Sequence, residues 1–296
     1  MTTSRDRRRH PLVQVNVLPA VHAARNIAKA WLLLGGFVVL LGAFGWWIAG
    51  FRVASLFLVV GLLMAATVFW YGPRIVLASL GARELLMSES PLLHSTVERL
   101  ALAAGVERPR LFLLPDGHPR ALAVGRGASA SGVALSQGLV SLVPPAELEG
   151  LLAHELAHIR HRDVVVQTPV VLIAGWLVEV SRVGGFLERA LLVVLGPVAA
   201  SIVQALLSPR RELAADALAA RICGSPHGLA DGLIRIEQAQ ELISFQASPV
   251  TEPLYTVNPF AEAGLAALFS THPPIGRRVE RLRALDPEWR ERLRAA

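Results

Sequence analysis

Two long apolar segments near the amino terminus constrain the fold of this 296-residue chain more than any other feature. The first runs from Trp31 to Ala49 and the second from Val53 to Tyr71. Each is long enough to cross the hydrocarbon core of a bilayer, which takes about 20 residues of helix. Aromatic residues typical of membrane interfaces lie near the segment ends, namely Trp46, Trp47, Trp70 and Tyr71. With 53% hydrophobic residues, the chain is predicted to be a mainly α-helical membrane protein.

Basic residues predict how this hairpin is oriented. Several precede the first segment: Arg5, Arg7, Arg8, Arg9, Arg25 and Lys29. Arg74 and Arg83 follow the second segment, whereas Arg52 alone lies between the two. The positive-inside rule then places both flanks in the cytoplasm, and we expect a multi-pass protein of a bacterial-type inner membrane. A cleaved signal peptide is not expected, because the apolar region begins late and a second segment follows it at once.

Two further apolar segments, Val164 to Val180 and Ala190 to Leu207, are less regular. Polar residues and prolines interrupt them: Gln167, Pro169, Glu179, Pro197 and Gln204. They form either a second membrane hairpin or a buried helical pair. Basic residues on the inner side favour spanning, namely Arg160, Arg162, Arg210 and Arg211. Two to four transmembrane helices are therefore expected.

The pentapeptide from His154 to His158 has the pattern H-E-x-x-H inside a predicted helix. Prolines at 144 and 145 and leucines at helical spacing support the helix. Residues at i and i+4 lie on one face, so both imidazoles can bind the same metal ion while Glu155 points toward the same cleft. Such a pair leaves room for a third protein ligand and a water molecule. The alternative is a helix with two solvated histidines.

A third ligand is available in the segment from Arg210 to Ala217. Glu212 and Asp216 are four residues apart and share a helical face, so Glu212 can bind the metal while Asp216 hydrogen-bonds a ligand imidazole. Without the two histidines, both acids would be interpreted as a solvated face paired with Arg211 and Arg221.

Together these residues resemble the HtpX-like membrane-bound zinc metallopeptidases, with the prenyl-protein CAAX endopeptidases as more distant relatives. The matching stretches are 151–158 with Arg162-Asp163 beyond, 208–216, and 270–274 followed by Arg278. The resemblance extends from about Arg25 to Leu285.

This resemblance implies one Zn²⁺ per chain, bound by His154, His158 and Glu212, with Glu155 as general base. It adds His272 and Arg278 as catalytic groups that stabilise the oxyanion, where the alternatives are a turn residue and a solvated helix face. It implies an α+β metalloprotease domain of the zincin type (gluzincin), and a role in cleaving cytoplasmic segments of misfolded or damaged membrane proteins.

One departure from the family pattern concerns the strand that lines the substrate cleft. Members usually have Pro-Asn-Ala-Phe-Ala there, whereas this chain has Arg120, Ala121, Leu122, Ala123 and Val124 after Pro119. An edge strand can still pair with an extended peptide through its main chain. Arg120 in place of asparagine either alters which peptides bind or is simply exposed. Two further strands are predicted, at 110–114 and 132–136, after a helix at 90–104.

The net charge of +6 does not indicate a nucleic-acid partner. The basic residues cluster at the amino terminus, at the ends of the apolar segments and in the predicted helix at 276–296, without interleaved aromatic residues. An anionic phospholipid bilayer is the simpler partner, together with polypeptide substrates. The single cysteine, Cys223, excludes an internal disulfide and fits a reducing compartment.

The predicted organisation has five parts: a basic segment at 1–30, a transmembrane hairpin at 31–72, a first protease part at 73–163, a second hydrophobic hairpin at 164–207, and a second protease part at 208–296. Two other functions remain open. One is a zinc-bound membrane scaffold that captures chains without cutting them, which leaves Glu155 unexplained. The other is an endopeptidase for prenylated C-termini, which needs more spans than this sequence has.

Overall fold

The computed structural model describes residues 18–182, 188–242, 272–286 and 288. Within them the chain is mostly helical, with one small sheet. Helix α1 is Leu18–Ser79, and Ala49 and Gly50 interrupt it with non-helical backbone angles. Gly50 adopts a φ of 71°, a left-handed conformation that costs glycine little. The residues before and after this break form two arms, 18–48 and 51–79, that fold back on each other.

Aromatic contacts between the arms show the reversal. The rings of Trp31 and Phe69 stack with centroids 5.5 Å apart, and Phe44 meets Phe57 edge-on nearer the bend. At Gly45 the arms are so close that an added Cβ would lie 2.9 Å from the Cβ of Phe57. Many apolar side chains of both arms nevertheless remain exposed, including Leu40 and Trp47. Among the described residues, α1 is the helix long and apolar enough to cross a membrane.

The sheet has four strands, β1 (Arg83–Glu84), β2 (Arg110–Leu114), β3 (Ala121–Gly125) and β4 (Ser131–Ser136), in the order β1-β2-β4-β3. Strands β2 and β4 are parallel, whereas the two outer strands run antiparallel to their neighbours. The strands at 110–114 and 132–136 and the strand near 120–124 were predicted within one residue at each end. Strand β1 was missed, because two residues carry no alternating pattern.

Helices surround the sheet and follow it along the chain. Helix α2 (Pro91–Ala104) ends at Gly105, which is left-handed with φ 66°. Helix α3 (Gln137–Leu142) is a short turn after β4, and α4 (Pro145–Arg160) is the central helix. The side chains of α4 are buried from Gly150 to Ile159, because α2, β3, α7 and α8 pack around it. The side chains of the H-E-x-x-H motif on α4 therefore lie in the interior of the protein.

Helices α5 (Asp163–Arg182) and α6 (Glu188–Leu206) occupy the second apolar region. They pack on each other, and α5 also packs on both arms of α1 through Ile173, Leu34 and Val68. The second apolar region predicted at 164–207 thus contains two helices in contact with each other. Its crossing of a membrane stays a prediction.

The remaining helices are α7 (Pro209–Cys223), α8 (His227–Leu242) and α9 (Ile275–Ala284). Helices α7 and α8 both lie against α4, and α9 contacts α7 and α8. Adding a Cβ to Gly150 of α4 would bring it 2.3 Å from the backbone nitrogen of Leu229 in α8, so these two helices touch at backbone level. The predicted helix at 276–296 corresponds to α9, and most of its part beyond 286 lies outside the described residues, as do residues 1–17 of the basic segment predicted at 1–30.

Candidate metal centre

The two histidines of H-E-x-x-H lie one turn apart on α4 and face the same point. Their Nε2 atoms are 3.1 Å apart and their ring planes are nearly perpendicular. His154 is completely buried and His158 is 4% exposed. The alternative of two solvated histidines is therefore wrong for this structure.

Helix α7 brings the carboxylate of Glu212 to the same point. One oxygen, Oε2, lies 3.5 Å from Nε2 of His154, and the other, Oε1, lies 3.6 Å from Nε2 of His158. Glu212 is also completely buried. Ser208 and Pro209 begin α7, so the glutamate lies in its first turn and points toward α4.

These three side chains fit a zinc ion. A tetrahedral zinc with ligand distances of about 2.0–2.2 Å separates its ligand atoms by about 3.3–3.6 Å. The observed separations of 3.1, 3.5 and 3.6 Å lie close to that range. Two imidazoles and one carboxylate are also a donor set that zinc accepts, and it leaves a fourth position for water or substrate.

Each histidine is held from behind by a carboxylate. Nδ1 of His154 lies 2.9 Å from Oδ1 of Asp216, and Nδ1 of His158 lies 2.7 Å from Oδ2 of Asp163. A proton on Nδ1, shared with the carboxylate, leaves the lone pair of Nε2 directed at the centre of the cluster. Asp216 was predicted in this role, whereas Asp163 was not.

Asp163 comes five residues after His158, just beyond the end of α4. Arg162 between the helices has a φ of 57°, unusual for a residue other than glycine, and this turn brings Asp163 back toward His158. The signal in the sequence was an acid immediately after the motif helix. Spacing alone did not reveal it, because the turn breaks the helical periodicity.

A residue of the apolar hairpin completes this arrangement. Nδ2 of Asn26, in the first arm of α1, donates to Oδ1 of Asp163 at 2.7 Å and to the carbonyl oxygen of His161 at 3.0 Å. The sequence offered no signal for Asn26, since an asparagine ahead of an apolar segment is ordinary. The hairpin is thus joined to the cluster through two consecutive hydrogen bonds.

Arg278 of α9 is completely buried beside the cluster. Its Nε and Nη2 donate to the two oxygens of Asp216 at 2.9 and 2.7 Å, a bidentate pair. Nη2 also lies 3.4 Å from Nε2 of His154, and Nη1 lies 4.0 Å from Oε2 of Glu212. The alternative of a solvated helix face does not hold for Arg278.

His272 and Glu155 complete the group. The buried ring of His272 places Nδ1 3.1 Å from Oε2 of Glu212, on the side opposite Arg211, whose Nε contacts Oε1 at 3.1 Å. Glu155 is 2% exposed; burial lowers the pKa of Arg278, but interactions with Asp216, Glu212 and, to a smaller extent, Glu155 raise it. All six side chains predicted around the metal, and Asp216 behind them, thus meet in one region.

Residues 88–286 match the model of peptidase family M48. This match covers more than half of the chain. The chain belongs to peptidase family M48. It is 37% identical over 278 residues to a protease HtpX homologue of Pelotomaculum thermopropionicum, with 88% of this chain and 99% of that protein covered. A protease HtpX homologue of Pyrococcus abyssi is 38% identical over 270 residues, with 86% and 91% covered.

Among solved structures, that of Ste24p from S. mikatae is similar at 18% identity and a TM-score of 0.48, covering 90% of this chain and 66% of that one. The sequence-based resemblance to HtpX-like peptidases is confirmed. Family membership, the His-His-Glu cluster and the apolar α1 together make this chain a membrane metallopeptidase.

The electrostatics of this M48 peptidase favour a positive charge at the centre of the cluster. Burial alone lowers the pKa of His158, but the charge of Glu212 and the hydrogen bond to Asp163 outweigh burial and raise that pKa to about 10. Burial likewise raises the pKa of Glu212, yet the charges of His272, His158 and Arg211 hold it well below its usual range. The same negative charges that stabilise the proton on His158 would stabilise a metal cation, so proton and metal compete for this position.

Asp216 is held ionised by its neighbours. Its burial raises the pKa, but the charge and hydrogen bonds of Arg278 and the hydrogen bond to His154 lower it to about 2. The carboxylate therefore stays charged at any physiological pH, and it can accept the Nδ1 proton of His154 throughout.

The predicted substrate strand of this peptidase is β3, at the edge of the sheet and packed on α4 and α5. Its side chains are all buried, with alanines toward the main core and Leu122 and Val124 toward the other face. Arg120 lies just before the strand. Its side chain forms an ion pair with Asp116 and is 11% exposed, so Arg120 is neither part of β3 nor simply exposed.

The register of β3 shows which of its backbone groups face away from the sheet. Ser136 donates its backbone N–H to the carbonyl of Arg120, and Arg126 donates to Ala130. Since pairs alternate in an antiparallel ladder, Leu122 and Val124 also point toward β4. The N–H and C=O groups of Ala123 and Gly125 then point away from β4.

Proposed function

We propose that this M48 peptidase is a zinc-dependent endopeptidase of a bacterial-type inner membrane, and that it hydrolyses peptide bonds in cytoplasmic segments of misfolded or damaged membrane proteins. The observation that carries this proposal is the convergence of His154, His158 and Glu212 at zinc-like separations, with Asp216 and Asp163 behind the two imidazoles.

In the proposed reaction no covalent intermediate forms with the enzyme. A zinc ion in the cluster would polarise the scissile carbonyl and lower the pKa of a water molecule to about 7. Glu155 takes a proton from the attacking water and returns it to the leaving amine. Its position inside the motif, buried and close to the charge of Arg278, supports this role.

Arg278 and His272 are the groups we propose for stabilising the negative charge that develops on the carbonyl oxygen. Both place a side-chain nitrogen within 4.0 Å of Glu212, one of the residues that would hold the metal. The Nη1 nitrogen of Arg278 does not take part in its bidentate pair with Asp216 and lies 4.0 Å from Oε2 of Glu212.

The substrate is proposed to bind as an extended strand beside β3. The backbone groups of Ala123 and Gly125 provide the hydrogen bonds, which makes binding largely independent of side chains. A peptidase that cleaves damaged chains has to accept substrates with many different side chains. The ion pair of Arg120 with Asp116 limits the reach of this side chain toward a peptide, which supports a small role for it in peptide choice.

The proposed location in a membrane is argued from α1. Its exposed apolar side chains would be costly in water, because burying or exposing apolar area changes the free energy by about 25 cal/mol per Å². We propose that both arms of α1 cross the bilayer, that α5 and α6 form a second hairpin beside them, and that the sheet and the metal cluster face the cytoplasm. The packing of α5 on both arms supports this arrangement.

The decisive experiment is Glu155→Gln in the full-length chain purified in detergent. We expect the variant to retain zinc and to lose cleavage of an unfolded reporter protein by at least about a hundredfold, since the general base is removed and the ligands remain. The matched control is Glu149→Gln, on the same helix but paired with the surface residue Arg99. Equal cleavage by Glu155→Gln and the parent chain would mean that the chain is not a peptidase of this mechanism, and zinc retention without cleavage in the parent would favour the scaffold.

A further inference from the structure

A cavity of about 470 Å³ lies away from the metal cluster, between the second arm of α1 and one end of the sheet. The wall from α1 includes Trp70, Tyr71 and Arg74. The wall from the sheet is formed by the first residues of β2 and β4 and by the end of β3, which meet at one edge because β2 and β4 are parallel. Its volume is within the range of about 300–1,000 Å³ usual for small-molecule sites.

Four arginines surround this cavity, namely Arg74, Arg108, Arg110 and Arg126, and no carboxylate lines it among the described residues. Two of them are partly neutralised from outside: Arg110 lies 3.7 Å from Glu84, and Arg108 lies 3.8 Å from Glu98. Arg74 and Arg126 have no acidic partner in the described part of the chain. The cavity therefore concentrates positive charge that the protein itself does not balance.

Arg126 is held at the mouth of the cavity by an aromatic ring. Its guanidinium carbon lies 4.7 Å from the centroid of the Trp70 ring, a cation–π contact. Both Trp70 and Tyr71 are more than half exposed. Such a contact orients the guanidinium without using its hydrogen-bond donors, which stay available for an anion.

The cavity lies at the end of the apolar segment of the second arm, and this position indicates which class of anion it binds. The apolar segment 53–71 is about 28 Å long as a helix, close to the thickness of a hydrocarbon core. Trp70 and Tyr71 end it, and Arg74 follows one turn later. An anion bound among these arginines would lie at the level of phospholipid headgroups.

We propose that this cavity binds the phosphodiester headgroup of an anionic phospholipid, whose acyl chains lie along the exposed apolar side of the second arm. The arginines recognise the phosphate, and the aromatic pair covers the junction between headgroup and chains. This inference rests on the proposed insertion of α1 in a membrane, but not on peptidase activity. Because the same cavity wall includes Val124 at the end of β3, the lipid lies beside the strand proposed to bind substrate.

The test measures lipid binding by native mass spectrometry of the detergent-purified full-length chain. The probes are phosphatidylglycerol and, as the zwitterionic comparison, phosphatidylcholine with the same acyl chains. We expect the parent chain to bind phosphatidylglycerol at least about tenfold more tightly than phosphatidylcholine. The double variant Arg74→Gln/Arg126→Gln should lose most of that preference, because each arginine near a membrane surface strengthens anionic lipid binding several-fold.

The matched control is Arg277→Gln/Arg281→Gln, which removes the same charge from the exposed side of α9 and should change the preference by less than about twofold. An equal loss in both double variants would overturn the proposal, since it would show a net-charge effect, and so would an unchanged preference in Arg74→Gln/Arg126→Gln. A melting temperature for each variant confirms that the chains compared are folded.

A second arm of the test separates a lipid from a soluble phosphate. Glycerol phosphate at millimolar concentration should not displace phosphatidylglycerol from the parent chain, and displacement would overturn the assignment to a lipid. Repeating the binding measurement with Glu155→Gln should give the same lipid preference. Failure of the peptidase proposal would thus leave this result intact, whereas a chain that does not fractionate with membranes would remove its premise.

Discussion

Glu212 lies between the other side chains of the metal cluster and contacts them through both of its carboxylate oxygens. One of its oxygens contacts His154 and His272, and the other contacts His158 and Arg211. Burying a carboxylate this completely is costly unless it is paired, and here nitrogen atoms of His154, His158, His272 and Arg211 surround its two oxygens. The same arrangement that stabilises the anion also holds it in position for a metal.

Substitution of Glu212 tests the assignment of the third ligand at the residue scale. We expect Glu212→Ala to weaken zinc binding by more than about a hundredfold, beyond the effect of about 10–100-fold usual for residues behind the ligands. Zinc-buffered equilibrium dialysis, followed by metal analysis, measures this. Glu149→Gln again serves as the control, and an unchanged zinc affinity in Glu212→Ala would remove Glu212 from the ligand set.

At the scale of elements, the position of the metal cluster depends on the contact between α1 and the turn after α4. Asn26 holds Asp163, and Asp163 holds His158. The first arm of α1, which is distant in the chain, is therefore aligned with the end of α4 and the start of α5 by two short hydrogen bonds. A shift of the first arm of α1 would be transmitted to a metal ligand.

Replacing Asn26 by leucine removes the donor but keeps a similar volume. We expect zinc affinity to fall by about tenfold, because Asp163 loses a partner and orients His158 less well. Dialysis against a zinc buffer and a thermal melt with and without zinc measure the effect. Arg25→Gln, a change at the exposed neighbouring position, should leave zinc affinity as in the parent; if both variants bind zinc like the parent, the hydrogen bond from Asn26 has no role in positioning the ligand.

The elements themselves were predicted to different degrees. Helices α2 and α4 and three strands follow from periodicity, Pro and Gly signals, because these features act over neighbouring residues. The extension of α1 back to Leu18 was not expected, since residues 18–30 carry two charges and no long apolar run. Their helix is supported by contacts with α4 and α6 that only the folded chain provides: Asn26 with His161, and Lys29 with the carbonyl of Leu206.

At the scale of the whole molecule, the proposed topology makes the single cysteine useful. Burial raises the pKa of Cys223 to about 12, so its thiol is protonated at neutral pH and reacts slowly. New cysteines placed elsewhere can therefore be labelled selectively. Position 52, at the start of the second arm of α1 and next to the bend, and position 99, on α2, lie on opposite sides of the membrane in the proposed arrangement.

We expect Arg52→Cys to react with a membrane-impermeant maleimide added to intact cells or spheroplasts, and Arg99→Cys to react only after the membrane is opened. Gel-shift labelling of the two variants measures this, with the parent chain as the control for Cys223. Labelling of Arg99→Cys in intact cells would reverse the orientation, and protection of both positions would mean that the bend of α1 does not cross.

The sequence alone determined the features that depend on near neighbours: two apolar arms, and a helix that puts His154 and His158 on one face. It also suggested Glu212 and Asp216 as partners, since their spacing repeats that of the histidines. Only the tertiary structure decided that α7 brings Glu212 within 3.6 Å of both imidazoles, and that Asp163, Asn26 and Arg278 fix the orientation of the ligands. These contacts join residues far apart in the chain, and their geometry depends on how whole helices pack rather than on any local pattern.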